Sequence, residues 1–167
     1  HAHFVNYGFS LQQVNLTGTK SWQECIDKIQ LFVKDKNIKP GEWVQGRGWD
    51  QNDWDVKEFP DKNKLDAVFP DNPVVLVRID GHALIANTKA IDLANVKPGL
   101  SIKGGTAETV NGKLTGIFID NAEDLIWSAI PSSNKQQFVT ALKDAQQNCF
   151  AVGLTSIQDC GLDKFSV

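Results

Sequence analysis

The sequence has no methionine, one tyrosine, three cysteines and three histidines among its 167 residues. Cys25, Cys149 and Cys160 are an odd number with no Cys-x-x-Cys pair, which argues against a structural zinc site and leaves free, mostly buried thiols as the expectation. No charge of one sign is gathered into a long block. Seventeen basic against twenty acidic side chains give a net charge of -3, without the basic stripe that a nucleic-acid partner would require. The longest apolar runs, such as Val74 to Val77, fall far short of the ~20 residues that span a bilayer, so no membrane span is expected. Disorder is excluded at 41% apolar residues, and the chain is long enough for one ordinary globular domain. It is short of the roughly 250 residues of a complete eight-stranded α/β barrel. A chain without methionine even at position 1 fits an excised segment better than a natural start, and any signal peptide would lie out of view, so the compartment stays open.

What is present reads as alternating strands and helices. His1 to Phe9 alternates enough for a short strand, with His1, His3 and Val5 on one side. Ser21-Trp22-Gln23-Glu24 forms a capping box in front of apolar positions at helical spacing, which predicts a helix to about Asn37. Glu42 to Gln45 reads as a strand running into Gly46-Arg47-Gly48-Trp49-Asp50-Gln51, and Asp61 as the cap of a short helix through Val68. Pro73 opens Val74 to Ile79, a β-branched run suited to burial on both faces. Asn87 can cap a helix through Ala94, and Asn111-Gly112 between two extended segments is a hairpin signal. A helix follows from Asp120-Asn121 to Ala129. The tail, an amphipathic helix over 133–148 and a strand from Gly153 to Asp159, reads as half of a βαβ repeat belonging to a parallel sheet.

Few residues can carry chemistry. His1 and His3, at i and i+2 of a strand, would project to one face about 6–7 Å apart at Cα, where two neutral imidazoles can share a transition metal. Surface or tag-derived histidines remain the alternative. His82, in Asp80-Gly81-His82 after a buried strand, is a third ligand, a pocket wall or a hydrogen-bonded structural residue. In Gly46-Arg47-Gly48-Trp49-Asp50, Arg47 can clamp a carboxylate and Trp49 can pack on an apolar substrate, or the segment is a tight turn with Arg47 paired to Asp50 or Asp80. It lacks the Gly-Lys-Ser/Thr ending of a phosphate loop. Asp120 and Asn121 either project into a pocket or cap a helix. Asp159 is a ligand-orienting group or a turn residue. Thr155 and Ser156 have no neighbouring histidine and acid that would suggest nucleophilic catalysis.

Taken in order, these segments resemble the amidohydrolase superfamily. His1-Ala2-His3-Phe4 is similar to the metal-binding His-x-His of its first barrel strand. Gly46 to Gln51, Phe59-Pro60, Leu65-Asp66, Pro73 to Leu76, Arg78 to Ala83, Gly116 with Asp120-Asn121-Ala122, and Gly153 to Ser156 resemble one branch. That branch comprises metal-dependent hydrolases similar to N-substituted formamide deformylase and to exoenzyme regulatory proteins. The resemblance covers nearly the whole chain.

It implies an α/β fold: part of a distorted (β/α)₈ barrel, about two strands, carrying a large inserted mixed α/β domain. Residues 1–18 would form the first barrel strand and loop, 19–131 the inserted domain, and 132–167 a barrel helix and the second barrel strand. The resemblance further implies one or two divalent metals, usually zinc, with His1 and His3 as ligands. Arg47, Trp49, Asp80, His82 and Asp120 would then lie toward a small amide-type substrate. The implied reaction is hydrolysis of a non-peptide carbon–nitrogen bond by a metal-activated water. The remaining ligands and the general base are expected beyond Val167, so no catalytic residue is assigned here. With three histidines in all, the segment alone is expected to be inactive. Its exposed barrel strands would offer edges for pairing with a second copy. The competing expectation is a non-enzymatic small-ligand binding module using Arg47, Trp49 and His82.

Overall fold

A computed structural model describes residues 2–159 and 161, and the chain divides into two compact units. Val14–Pro131 form one; the other joins the first thirteen residues to the stretch from Ser132 onward.

The Val14–Pro131 unit is a mixed α/β fold built on a six-stranded sheet in the order β1-β2-β3-β4-β6-β5. Its strands are β1 (Val14–Asn15), β2 (Val44–Trp49), β3 (Val74–Arg78), β4 (Ala83–Ala86), β5 (Gly105–Val110) and β6 (Lys113–Asp120). β1, β2 and β3 run parallel, whereas β3, β4, β6 and β5 pair antiparallel. The period of two along β3 divides the core. Val74 and Leu76 join one apolar cluster with Cys25, Ile26 and Ile29 of α2 (Trp22–Asp35) and Leu65 of α3 (Asn63–Val68). Val75 and Val77 join the other, with Ala90 and Ile91 of α4 (Thr88–Leu93) and Ile126 of α5 (Glu123–Trp127). Helices therefore cover both faces, which is why β3 has no polar side chain before Arg78.

Local chemistry sets the boundaries. Ser21 Oγ accepts from the Glu24 amide at 3.1 Å while Glu24 Oε2 accepts from the Lys20 amide at 2.7 Å, fixing the start of α2. The Asn111-Gly112 pair, both at positive φ, turns β5 into β6 as read from the sequence. The short strand β4 goes unread because its four residues are all apolar and all buried, without alternation. Cys25 is buried against Thr19, and burial pushes its thiol up to about 11, in keeping with an inert core thiol. Cys149 is half-buried and free, and Cys160 lies outside the described residues.

In the second unit, α1 (Phe4–Ser10) packs on α6 (Lys135–Ala151). This corrects the expected strand over 1–9. The Asp159 carboxylate accepts from the backbone N–H of Phe4 at 2.6 Å and of Val5 at 3.4 Å, supplying the acceptors a helix start needs. Gly8 meets the Ala141 backbone so closely that a β-carbon there would lie 2.5 Å from the Ala141 carbonyl oxygen. Phe9 stacks edge-on against Phe138 at 5.3 Å. These tertiary contacts override the short alternation of the sequence. The tail is corrected too: over 153–158 no strand forms, and only Asp159 pairs, in a parallel bridge to Ala2. No described helix is long and apolar enough to cross a membrane.

Asn87 is fully buried, and its carboxamide makes four hydrogen bonds. Oδ1 accepts from the Val74 and Ala90 amides, and Nδ2 donates to the Phe69 and Asn72 carbonyls. Asn87→Ala strands all four partners, so a loss of about 3 kcal/mol or more is expected in urea unfolding. A loss below about 1 kcal/mol would show that the site relaxes or admits water.

Candidate functional site

Polar side chains converge on the turn between β3 and β4. Arg78, the last residue of β3, clamps Asp80 through two contacts, Nε to Oδ1 at 2.9 Å and Nη2 to Oδ2 at 2.7 Å. Asp80 Oδ1 also accepts from the His82 amide at 3.1 Å. The Arg78 hydrogen bonds, ahead of the other influences, hold the Asp80 carboxyl below its usual range. Gly81 takes φ +76, the left-handed conformation that lets the turn close. Arg47 reaches the same turn from β2, donating from Nη2 to the Ile79 carbonyl at 3.2 Å. Its partner is this carbonyl; the carboxylate of Asp80 is taken by Arg78.

The second half of the cluster comes from the end of β6. His82 Nδ1 lies 3.1 Å from Asp120 Oδ1, with both side chains substantially exposed. Asp120 holds φ +52, uncommon for a residue with a side chain. It does not cap α5, whose N-cap is Ala122 with no side-chain bond; Asn121 instead donates to the Lys103 carbonyl at 2.9 Å. Of the residues singled out in the sequence, Arg47, Asp80, His82 and Asp120 therefore gather at one end of the central strands.

Trp49 does not join them, and this is a correction. Its ring is fully buried, 6.1 Å from Trp54 and 6.3 Å from Phe59 between centroids, and its Nε1 donates to the Leu76 carbonyl at 2.9 Å. The reason lies in the preceding glycines. Gly48 at φ +106 makes a bulge against β3 that turns Trp49 into the core and leaves Arg47 outside. The binding-module alternative thereby loses the exposed aromatic face it required.

Two members of the cluster carried no assigned role in the sequence. Arg78 stands at the strand end immediately before Asp80 and also lies over the Phe59 ring at 5.5 Å. Glu123 sits in the first turn of α5, 8% exposed, and nothing in its neighbours' types announces it. Its Oε2 accepts from Trp127 Nε1 at 3.3 Å, whereas its Oε1 is buried without a partner. Burial, reinforced by the charges of Asp120 and Asp80, raises its pKa, against the opposing pull of Trp127 and His82.

The histidines of the other unit are placed separately. His1 lies outside the described residues. His3 is exposed and precedes the first turn of α1. A β-carbon on Gly161 would stand 2.8 Å from its Nδ1, which places it beside the Asp159 turn. Asp159 accepts from the Gly161 amide at 2.9 Å, and its pKa is lowered by that bond first, then by the Phe4 and Val5 amides and by His3. Asp159 thus orients backbone groups at the start of α1. Among the described residues no group of three or more His, Cys, Asp or Glu side chains is arranged to hold a metal ion.

The raised pKa of Glu123 makes a signed prediction. A carboxyl that binds its proton more tightly when folded favours the native state fully below its unfolded value and loses that advantage as pH rises through the folded value. Glu123→Gln, which keeps an acceptor for Trp127, should raise Tm by about 2 °C or more near pH 7.5, with the gain vanishing below about pH 4. A gain of equal size at both pH values would assign the effect to something other than ionisation.

Against this geometry stand the relatives. The profile of the Amidohydrolase family matches residues 1–166. YtcJ of Bacillus subtilis is 29% identical over 157 residues, covering 93% of this chain and 29% of YtcJ. The N-substituted formamide deformylase of Arthrobacter pascens is 31% identical over 142 residues, covering 81% of this chain and 26% of the enzyme. The crystal structure of an uncharacterized metal-dependent hydrolase from Pyrococcus furiosus superposes with a TM-score of 0.65 at 27% identity, covering 93% of this chain and 30% of the other. The chain thus spans less than a third of the length of these relatives, and it belongs to the amidohydrolase family.

Proposed function

We propose that the protein from which this chain comes is a metal-dependent hydrolase that cleaves a non-peptide carbon–nitrogen bond, generally an amide, in a small molecule. The observation that carries the reading is the family match over nearly every residue, beginning at the His-x-His of His1 and His3. The metal-dependent hydrolase among the structural neighbours supports a divalent cofactor, for which zinc suits the imidazole ligands. Such an ion would supply an acidified water and polarise the scissile carbonyl.

His1 and His3 are then two of its ligands. Two imidazoles fall short of the three protein ligands usual at catalytic zinc. In this reading the other ligands and the general base come from parts of the family's fold that this chain, at less than a third of its relatives' length, does not span, and the segment alone is inactive. Arg47, Asp80, His82 and Asp120 serve the substrate, Arg47 through the planar cation it presents outside the core. Trp49 acts from within, as the packed residue behind Arg47.

In this reading Ala2 and Asp159 mark two adjacent strands of a (β/α)₈ barrel, and the Val14–Pro131 unit is the insertion between them. The parallel sense of the Ala2–Asp159 bridge supports this, because neighbouring barrel strands pair in parallel. So does the completeness of the inserted unit, which has its own sheet and core.

Two measurements test the proposal. The 167-residue chain with added zinc should show no metal-dependent turnover of simple formamides; measurable turnover would overturn its assignment as an incomplete site. In the longer parent protein, His3→Ala should lower both bound zinc and turnover by about 100-fold or more. Retention of full zinc content by that variant would remove His3 from the metal.

A further inference from the structure

β1, β2 and β3 run parallel, and open α/β sheets take ligands at the C-terminal ends of such strands. Two arginines stand toward those ends, and the fold uses them differently. Arg78 gives two contacts to the Asp80 carboxylate, and its side chain is 18% exposed. Arg47 is exposed and forms no ion pair among the described residues. Its side chain makes one hydrogen bond, from Nη2 to the Ile79 carbonyl, which leaves most of its N–H donors unused.

That bond orients the guanidinium without neutralising it. Nη2 is held over the β3–β4 turn, where a β-carbon on Gly81 would lie 3.4 Å away. The carboxylates of the cluster are engaged elsewhere: Asp80 by Arg78, and Asp120 facing His82 at 3.1 Å. Ile79 is pinned at both backbone groups, since its amide also donates to the Trp49 carbonyl at 3.0 Å. Its side chain is nevertheless 43% exposed, an apolar surface on the residue that holds the cation. A planar fork fixed in this way matches a carboxylate through two parallel N–H···O bonds. Asp80 and Asp120 at the same strand ends disfavour a dianion such as a phosphate monoester, which leaves a singly charged group as the better fit.

We propose that Arg47 and Ile79 recognise a carboxylate carried on an apolar body, and that the parent hydrolase's substrate bears this carboxylate in addition to its scissile bond. Arg47 takes the charge and Ile79 the neighbouring apolar group. The binding site stands on the Val14–Pro131 unit alone, whereas its assignment to the substrate rests on the hydrolase reading.

The test titrates the whole chain with phenylacetate and with its neutral counterpart, phenylacetamide, by calorimetry. Phenylacetate should saturate and bind about tenfold more tightly than the amide. Arg47→Gln should abolish that preference, Arg47→Lys should keep part of it, and Ile79→Thr should weaken both ligands alike. Lys39→Gln removes the same unit of charge at the opposite end of β2 and β3, where the Lys39 carbonyl accepts from Asn72, and should leave the affinity unchanged. In the longer parent protein, N-formylphenylalanine should be cleaved with a kcat/KM about tenfold above that of N-formylphenethylamine, which lacks only the carboxylate, and Arg47→Gln should bring the two together. Equal binding of phenylacetate and phenylacetamide would overturn the carboxylate site, as would a preference that survives Arg47→Gln. Cleavage of both formamides without preference, with phenylacetate still bound through Arg47, would overturn the substrate assignment alone. Cleavage of neither, with that binding intact, would count against the hydrolase reading and leave the carboxylate site standing.

Discussion

The Val14–Pro131 unit depends on how the buried carboxamide of Asn87 joins the beginning of β3 to the beginning of α4. Asn87 accepts from the first amide of β3 and from the first turn of α4, and it donates to the 69–72 segment that delivers the chain into the sheet. With that end of β3 fixed, the strand must place Arg78 and the turn after it at its opposite end. The polar cluster there is thus positioned by a neutral side chain at the other end of the strand. A charged group at position 87 would meet a desolvation cost that four neutral hydrogen bonds avoid.

The same division of labour explains why glycine and tryptophan alternate with arginine in β2. Gly46 lets the Leu76 side chain press against the backbone, and Gly48 admits the bulge that reverses which face the following residue serves. The result is a strand that hands one cation to solvent and one large ring to the core within three positions. At the strand ends Arg78 neutralises Asp80, while Asp120 Oδ1 lies 3.1 Å from His82 Nδ1 and Arg47 meets only a backbone carbonyl. Glu123, buried beside them, has one carboxylate oxygen without a partner.

Much of this was legible where the signal is local. Ser21 and Glu24, the bond by which Asn87 caps α4, and Asn111-Gly112 act within a few residues, and these roles follow from side-chain chemistry alone. What failed was decided at long range. The first nine residues alternate like a strand, yet Asp159 supplies acceptors to Phe4 and Val5 and α6 supplies a partner for Gly8 and Phe9, and these favour a helix. Arg47, Asp80, His82 and Asp120 were identifiable as polar residues at strand ends, but Trp49 was not readable as core, because a one-residue shift in register decides which way it faces. Glu123 gave no signal, since its burial comes from the helix that carries it and from Trp127 one turn on.

The hydrogen bond from Phe4 to Asp159 spans 155 positions of sequence. The smaller unit is therefore assembled from two stretches that emerge from the ribosome far apart in time, while the segment between them holds a sheet and core of its own. Because the entropy of closing a flexible loop rises only with the logarithm of its length, an intervening stretch that has already collapsed costs little more to bridge than a short one. A natural order of events follows: the interior segment can mature first, and α1 winds only once α6 and Asp159 have been made.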